Sequence, residues 1–217
     1  MSLLHRKPVP LAPAEKTFRD DRLIVVISED TCAPDQYFEL VKARRVHVKV
    51  ASAQDGKSSP KDILQSARAL RADKDFEKFD EFWLLLDSDH WIKPSHAKNF
   101  HEVIVDARNE GFRVAVSNPC FDLWLALHHD DVPVNATTPF KNGRKLGEHI
   151  RKIKGEFSKT RLKPEDYHVA SALKAIKRAK ELTPDLNLHI PDDPGTQVWA
   201  LVERALADVI DKPGLAG

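Results

Sequence analysis

The chain has 217 residues, 41% of them hydrophobic and 31% charged, and a formal net charge of +1 at pH 7. That balance excludes an intrinsically disordered polypeptide and a globally basic nucleic-acid coat, and two widely spaced cysteines, Cys32 and Cys120, exclude a disulfide scaffold or a cysteine-rich zinc site. The apolar runs fall well short of the roughly 20 residues a membrane helix needs, and residues 1–20 lack a signal peptide's apolar core, so the expected location is cytoplasmic, with no membrane partner.

Residues 1–20 carry Pro8, Pro10 and Pro13 among scattered charges and read as a flexible arm. The run Arg22-Leu23-Ile24-Val25-Val26-Ile27-Ser28-Glu29 then predicts a first buried strand that stops at a polar end. A helix is expected from Pro34 to Lys42, and a second strand over 45–52, where Val46, Val48 and Val50 alternate. Asp55 to Pro60 reads as a loop, and Ile63, Leu64, Ala67 and Leu70 recur at helical spacing to about residue 72. Phe82-Trp83-Leu84-Leu85-Leu86 predicts a third, fully buried strand ending at Asp87. A helix from Pro94 to Asn109, stopped by Gly111, leads to a fourth strand over 112–117.

This β-α-β-α-β-α-β order predicts an α/β domain over residues 21–130, a Rossmann-like, mostly parallel sheet flanked by helices. Residues 131–217 are expected to form a helical C-terminal part packed on that core. The helices are read from Pro119 to His128, from Gly143 to Lys154, from Pro164 to Leu182 and from Thr196 to Ile210.

Parallel strands bring their carboxyl ends to one edge, and ligands of open α/β sheets bind beyond that edge. Asp87 and Asp89, spaced i, i+2, leave one such strand, and Glu29 leaves another. Paired carboxylates repel unless a proton or a cation intervenes, and hard ions such as Mg²⁺ or Mn²⁺ take oxygen ligands. Glu29, Asp87 and Asp89 are therefore the candidate metal ligands and catalytic acids; the alternative for the pair alone is a strand-end cap of the next turn. His90 is a candidate phosphate or leaving-group contact, or a structural or exposed histidine. His128 is expected to close a helix, Asn118 to cap one or touch a ligand, and Tyr37, Phe38 and Trp124 to fill the core.

Charge is unevenly distributed. Residues 81–131 hold nine acidic and four basic residues, whereas 141–180 hold thirteen basic and four acidic. Lys141, Arg144, Lys145, Arg151 and Lys152 are the candidate nucleic-acid contacts, in a tract continued by Lys154, Lys159, Arg161 and Lys163, through phosphates rather than bases because few aromatic residues are interleaved; a solvated helix face is the alternative.

Glu29 with Tyr37-Phe38, the segment Leu86-Asp87-Ser88-Asp89, and Ser117-Asn118-Pro119-Cys120-Phe121-Asp122-Leu123-Trp124 together resemble the RloB-like family. Asp193-Pro194-Gly195-Thr196 is similar to that family's Asn-Pro-Ser-Thr signature, so the similarity spans roughly residues 22–206. The resemblance implies a Toprim-like fold, the module of topoisomerases, primases and certain defence nucleases, and an ATPase partner in bacterial restriction or anti-phage loci. It implies Glu29 as metal ligand or general acid/base and Asp87 and Asp89 as the metal-binding pair. The family's Glu-Gly reads Glu29-Asp30 here, a second glutamate is replaced by Pro34, and Asp122 stands where the family usually has Glu.

The leading expectation is a Mg²⁺- or Mn²⁺-dependent nuclease that hydrolyses a DNA or RNA phosphodiester as the effector of such a system. Two other readings use the same residues: a catalytically silent module that binds an ATPase partner, and a small-molecule phosphohydrolase or nucleotidyl transferase.

Overall fold

The computed structural model describes residues 22–42, 46–52, 59–72, 80–130 and 142–210. The expected N-terminal arm and Lys141 lie outside them. Seven elements follow the expected order: β1 (Arg22–Ser28), α1 (Cys32–Leu40), β2 (Val46–Ser52), α2 (Pro60–Arg71), β3 (Glu81–Asp87), α3 (Pro94–Asn109) and β4 (Arg113–Asn118). Then come α4 (Asp122–Ala126), α5 (Gly143–Lys154), α6 (Val169–Leu182), β5 (Gly195–Thr196), α7 (Val198–Ala205) and α8 (Ala207–Ile210).

The sheet runs β2-β1-β3-β4-β5, with β1, β2, β3 and β4 parallel and β5 antiparallel on the edge of β4. It is the mostly parallel α/β sheet that the strand pattern predicts. Because β1 and β3 are neighbours while β2 lies outside β1, the chain reverses its winding direction between β1 and β3. That topological switch point is where open α/β sheets leave a crevice at the carboxyl edge.

Alternation along the buried strands divides the core in two. Ile24, Val26, Trp83, Leu85 and Ala115 face α1, α4 and the later helices, whereas Val25, Ile27, Leu84, Leu86 and Val116 face α2 and α3. Helix ends follow local chemistry. Ser59 caps α2 through the Asp62 N–H, with Pro60 in its first turn, and Asn142 caps α5 through the Lys145 N–H at 3.0 Å. Gly111 beyond α3 and Gly155 after α5 take φ of 82° and 80°, a backbone region that side chains disfavour. At the sheet's other end, Glu81 is ringed by Arg22, Arg113 and Arg204, which ties β1, β4 and α7 to β3.

Three expected elements differ. The helix read from Pro119 begins at Asp122 and is one short turn and a half, because the Pro119 carbonyl serves the turn after β3 and not a helix. Asn118 therefore caps nothing; it ends β4 and donates from Nδ2 to the Pro191 carbonyl at 2.9 Å. The helix read from Pro164 starts at Val169, where His168 and Ser171 form a reciprocal capping box. Thr196 belongs to β5 rather than to a helix, and the expected final helix is split at Leu206. The C-terminal part thus contributes a strand to the sheet.

Gly195 explains the close seating of β5. A Cβ there would lie 2.6 Å from the Asp192 carbonyl and from Thr183 Oγ1 and 2.8 Å from Pro191. Gly195→Ala is expected to destabilise the fold by about 1–3 kcal/mol, the usual penalty of overpacking, read as a lower urea midpoint at unchanged slope.

Candidate active site

Asp87 is the last residue of β3, and the turn after it is held by the Ser117–Phe121 segment. Ser88 N–H donates to the Ser117 and Pro119 carbonyls at 2.9 and 3.0 Å, and Asp89 N–H donates to Pro119 at 3.1 Å. In return the Phe121 N–H donates to Asp87 Oδ1 at 2.9 Å. The S-N-P-C-F run is therefore the clamp that holds the two aspartates at the carboxyl edge of the sheet. Burial pushes the Asp87 carboxyl well above its ordinary range, reinforced by Asp89, then Asp122, and more weakly by Glu29, while the Phe121 N–H opposes it.

Among those neighbours Asp122 outranks Glu29. Glu29 leaves the same sheet edge one residue beyond β1, whose Val25 and Ile27 face α2 and α3. Asp87 follows Trp83 and Leu85, which face α1 and α4. Asp122, the first residue of α4, is on that second side and acts on Asp87 more strongly than Glu29 does.

Asp122 is 1% exposed, and Lys159 Nζ lies 2.9 Å from its Oδ2. Burial raises the Asp122 carboxyl, Lys159 counters this, and Asp30 and Asp89 add repulsion. Burial works against the Lys159 ammonium too, but Asp122 prevails and holds it above its usual range. Gln36 on α1 anchors the Lys159 loop: its Nε2 donates to the Lys159 carbonyl at 3.0 Å, and its Oε1 accepts from the Leu162 N–H at 3.0 Å. Gly143 lets α5 approach; a Cβ there would stand 3.0 Å from Asp122 Oδ2 and 3.1 Å from Cys120 Sγ. From sequence Lys159 is one basic residue of a tract that could follow a nucleic-acid backbone, and its pairing with Asp122 is not foreseen. Asp122 was visible as the acid after S-N-P-C-F, but Lys159 is one of thirteen basic residues in its segment, and nothing local distinguishes it.

Beside the pair opens a cleft of about 430 Å³. Asp89 and Asp122 line it together with Arg144 and Arg151 from α5, Phe157 and Lys159. One acid and two arginines singled out from sequence thus share a cavity, whereas Asp87 and Glu29 do not line it. Lys145 and Lys152 sit on exposed positions of α5 but do not line it, and Lys145 pairs with Glu148 at 3.4 Å. His90 is exposed, 3.6 Å from Asp89.

His128 is a core residue. Its Nδ1 lies 3.0 Å from the Trp124 carbonyl, in an aromatic nest with Tyr37, Trp124 and Tyr167. Burial lowers its pKa to about 3. An unfolded histidine takes up a proton near pH 6.5 while this one stays neutral, so its contribution to stability is complete above pH 6.5 and is lost as pH falls toward 3. Between pH 6.5 and 4.5 the wild type is expected to lose about 2–3 kcal/mol more than His128→Phe, measured by urea unfolding at each pH.

The donor chemistry fits a hard divalent cation. All the donors are carboxylate oxygens, and the repulsion that raises Asp87 is of the kind a cation relieves. Among the described residues no three Asp, Glu, His or Cys side chains already ring one position. Mg²⁺ does not require that, since it is commonly held by one or two carboxylates, with waters and substrate phosphates completing the shell. Asp87 and Asp89 are the residues that would supply them. Among the described residues no helix is long and apolar enough to cross a membrane.

No curated protein and no solved structure matches the chain. A family model described as RloB-like protein matches residues 24–204, an interval that takes in most of β1, the Asp87–Asp89 turn, the Ser117–Phe121 clamp, the cleft and β5. The chain belongs to the RloB-like family.

Proposed function

We propose that the protein is a divalent-metal-dependent nuclease that hydrolyses a nucleic-acid phosphodiester in this cleft. The observation that carries the reading is the juxtaposition of Asp89 and Asp122 with Arg144, Arg151 and Lys159 around one cavity at the carboxyl edge of a parallel sheet. Carboxylates alone would repel a phosphate and cations alone would only hold one; the two sets together suit phosphoryl chemistry.

In this reading Asp87 and Asp89 hold Mg²⁺ or Mn²⁺, which when bound supplies Lewis-acid polarisation of a phosphoryl oxygen. Arg151 and Arg144 grip phosphates flanking the reacting one, and Lys159 faces the charge that builds on it. Glu29, at the margin of the site, orients the attacking water or completes the ligand shell. The Asp122 carboxylate holds the Lys159 ammonium at the cleft wall, 2.9 Å from its Oδ2. Family membership supports placing this activity in a bacterial restriction or anti-phage system, in the cytoplasm, with an ATPase partner.

The test is incubation of end-labelled RNA and DNA with the protein, with Mn²⁺ or with chelator, alone and with the neighbouring ATPase. Mn²⁺-dependent cleavage that Asp87→Ala reduces at least about 100-fold supports the reading. Cleavage that survives the substitution sinks it.

A second reading has its own observation. Lys159 already neutralises Asp122, and Asp30 adds negative charge where the family has glycine, an arrangement that also suits a silent module binding its ATPase partner without turnover. That reading predicts complex formation with the ATPase and no cleavage under any metal.

A further inference from the structure

The cleft has an aromatic wall that the sequence did not advertise. Phe157 follows α5, is half-buried against the core, and lines the cleft beside Gly147 and Arg151. A Cβ at Gly147 would lie 3.6 Å from Phe157 Cδ1 and Cε1 and 3.8 Å from an Arg151 guanidinium nitrogen, ordinary contact with nothing closer. Alanine therefore fits there. Glycine within a helix is less stable than alanine by roughly 0.5–1 kcal/mol, so α5 forgoes stability at a position where a side chain would cover the ring.

We propose that Phe157 is a stacking platform for one nucleobase, with the Arg151 guanidinium beside it, so that the cleft takes an unpaired nucleotide of a single strand. The inference rests on the nucleic-acid reading above and adds the strandedness of the substrate. A cavity of about 430 Å³ is of small-ligand size, and a base inside a duplex reaches an aromatic ring only after it is unstacked and unpaired. A single strand presents its bases without that cost. Stacking on one ring beside Arg144, Arg151 and Lys159 joins a base contact to a phosphate-binding wall, the combination found in single-strand binding sites.

The test uses the full chain in EDTA, where metal-dependent cleavage is silent, and reads fluorescence anisotropy of labelled single-stranded RNA and DNA oligonucleotides against duplexes of the same sequence. Tighter binding of single strands is expected. Phe157→Leu should weaken single-strand binding roughly 5- to 100-fold while Phe157→Tyr retains it. Gly147→Ala should raise the melting temperature and yet weaken single-strand binding, a pairing that misfolding does not produce. Equal or tighter duplex binding, no single-strand binding, or unchanged affinity in folded Phe157→Leu and Gly147→Ala overturns the inference. Mn²⁺-dependent cleavage persisting alongside those results leaves the nuclease reading intact. Phe157-dependent single-strand binding without cleavage under any metal keeps the platform and removes the nuclease.

Discussion

Asp87→Asn should stabilise the metal-free protein by about 1–2 kcal/mol while reducing Mn²⁺-dependent cleavage at least about 100-fold. The two effects have one cause. Asp87 is half-buried, with Asp89, Asp122 and Glu29 acting on it, so its ionised form is disfavoured in the fold and its carboxyl is held well above the ordinary range. Asparagine keeps the shape and still accepts from the Phe121 N–H at 2.9 Å, but carries no charge.

The sign of the pH dependence follows. A carboxyl raised in the folded state contributes stability that is full at low pH and is lost as pH rises through its folded value. The advantage of Asp87→Asn is therefore expected near neutral pH and should vanish on acidification. Chemical denaturation at several pH values with chelator present measures it. A variant less stable than wild type at pH 7 would show that the Asp87 carboxylate is compensated in the fold, contrary to the electrostatics described here.

The second large effect concerns the Asp122–Lys159 pair. Removing one partner of a buried ion pair leaves a charge without compensation, typically a loss of 3–5 kcal/mol. Lys159 is partly exposed, which lets water replace some of the interaction, so Lys159→Ala is expected to cost about 2–3 kcal/mol. Adding Asp122→Asn should recover most of that loss, because the neutral amide needs no counter-charge. Urea unfolding of both single variants and the double variant measures the coupling, and simple additivity would mean that the pair does not hold the loop. Cleavage should fall in the double variant even where stability returns, since the cleft then lacks its inner cation.

The sheet was legible in the sequence because its signals are local and strong. Five consecutive apolar residues before Asp87, and the β-branched run before Ser28, leave little choice but buried strands, and the intervening helices show helical apolar spacing, with a Ser59 cap on α2. β5 was not legible, because two residues have no periodicity and its place is decided by what Gly195 can approach. The missing helix at Pro119 has a similar origin. Its sequence resembles a helix start, but Ser88 and Asp89 take the Pro119 carbonyl from across the sheet.

The candidate site divides along the same line. Asp87 and Asp89 announce themselves by following a strand, and parallel topology brings Glu29 to the same edge. Asp122 and Lys159 meet across 37 residues of sequence, and Phe157 meets Gly147 only through the turn after α5. Such juxtapositions belong to tertiary packing, so spacing along the chain carries no trace of them. Arg144 and Arg151 line the cleft while Lys145 and Lys152 do not because only some positions of α5 face it; the basic tract showed the charge but not which faces turn inward.

The central claim is that the Asp87–Asp89 turn binds the cation on which phosphodiester hydrolysis depends. The most direct test is a crystal structure with Mn²⁺ at saturating concentration, read by anomalous scattering. The expected result is a peak bonded to a carboxylate oxygen of Asp87 or Asp89, at the side of the cleft that Asp89 lines. No peak at either carboxylate under those conditions would contradict it.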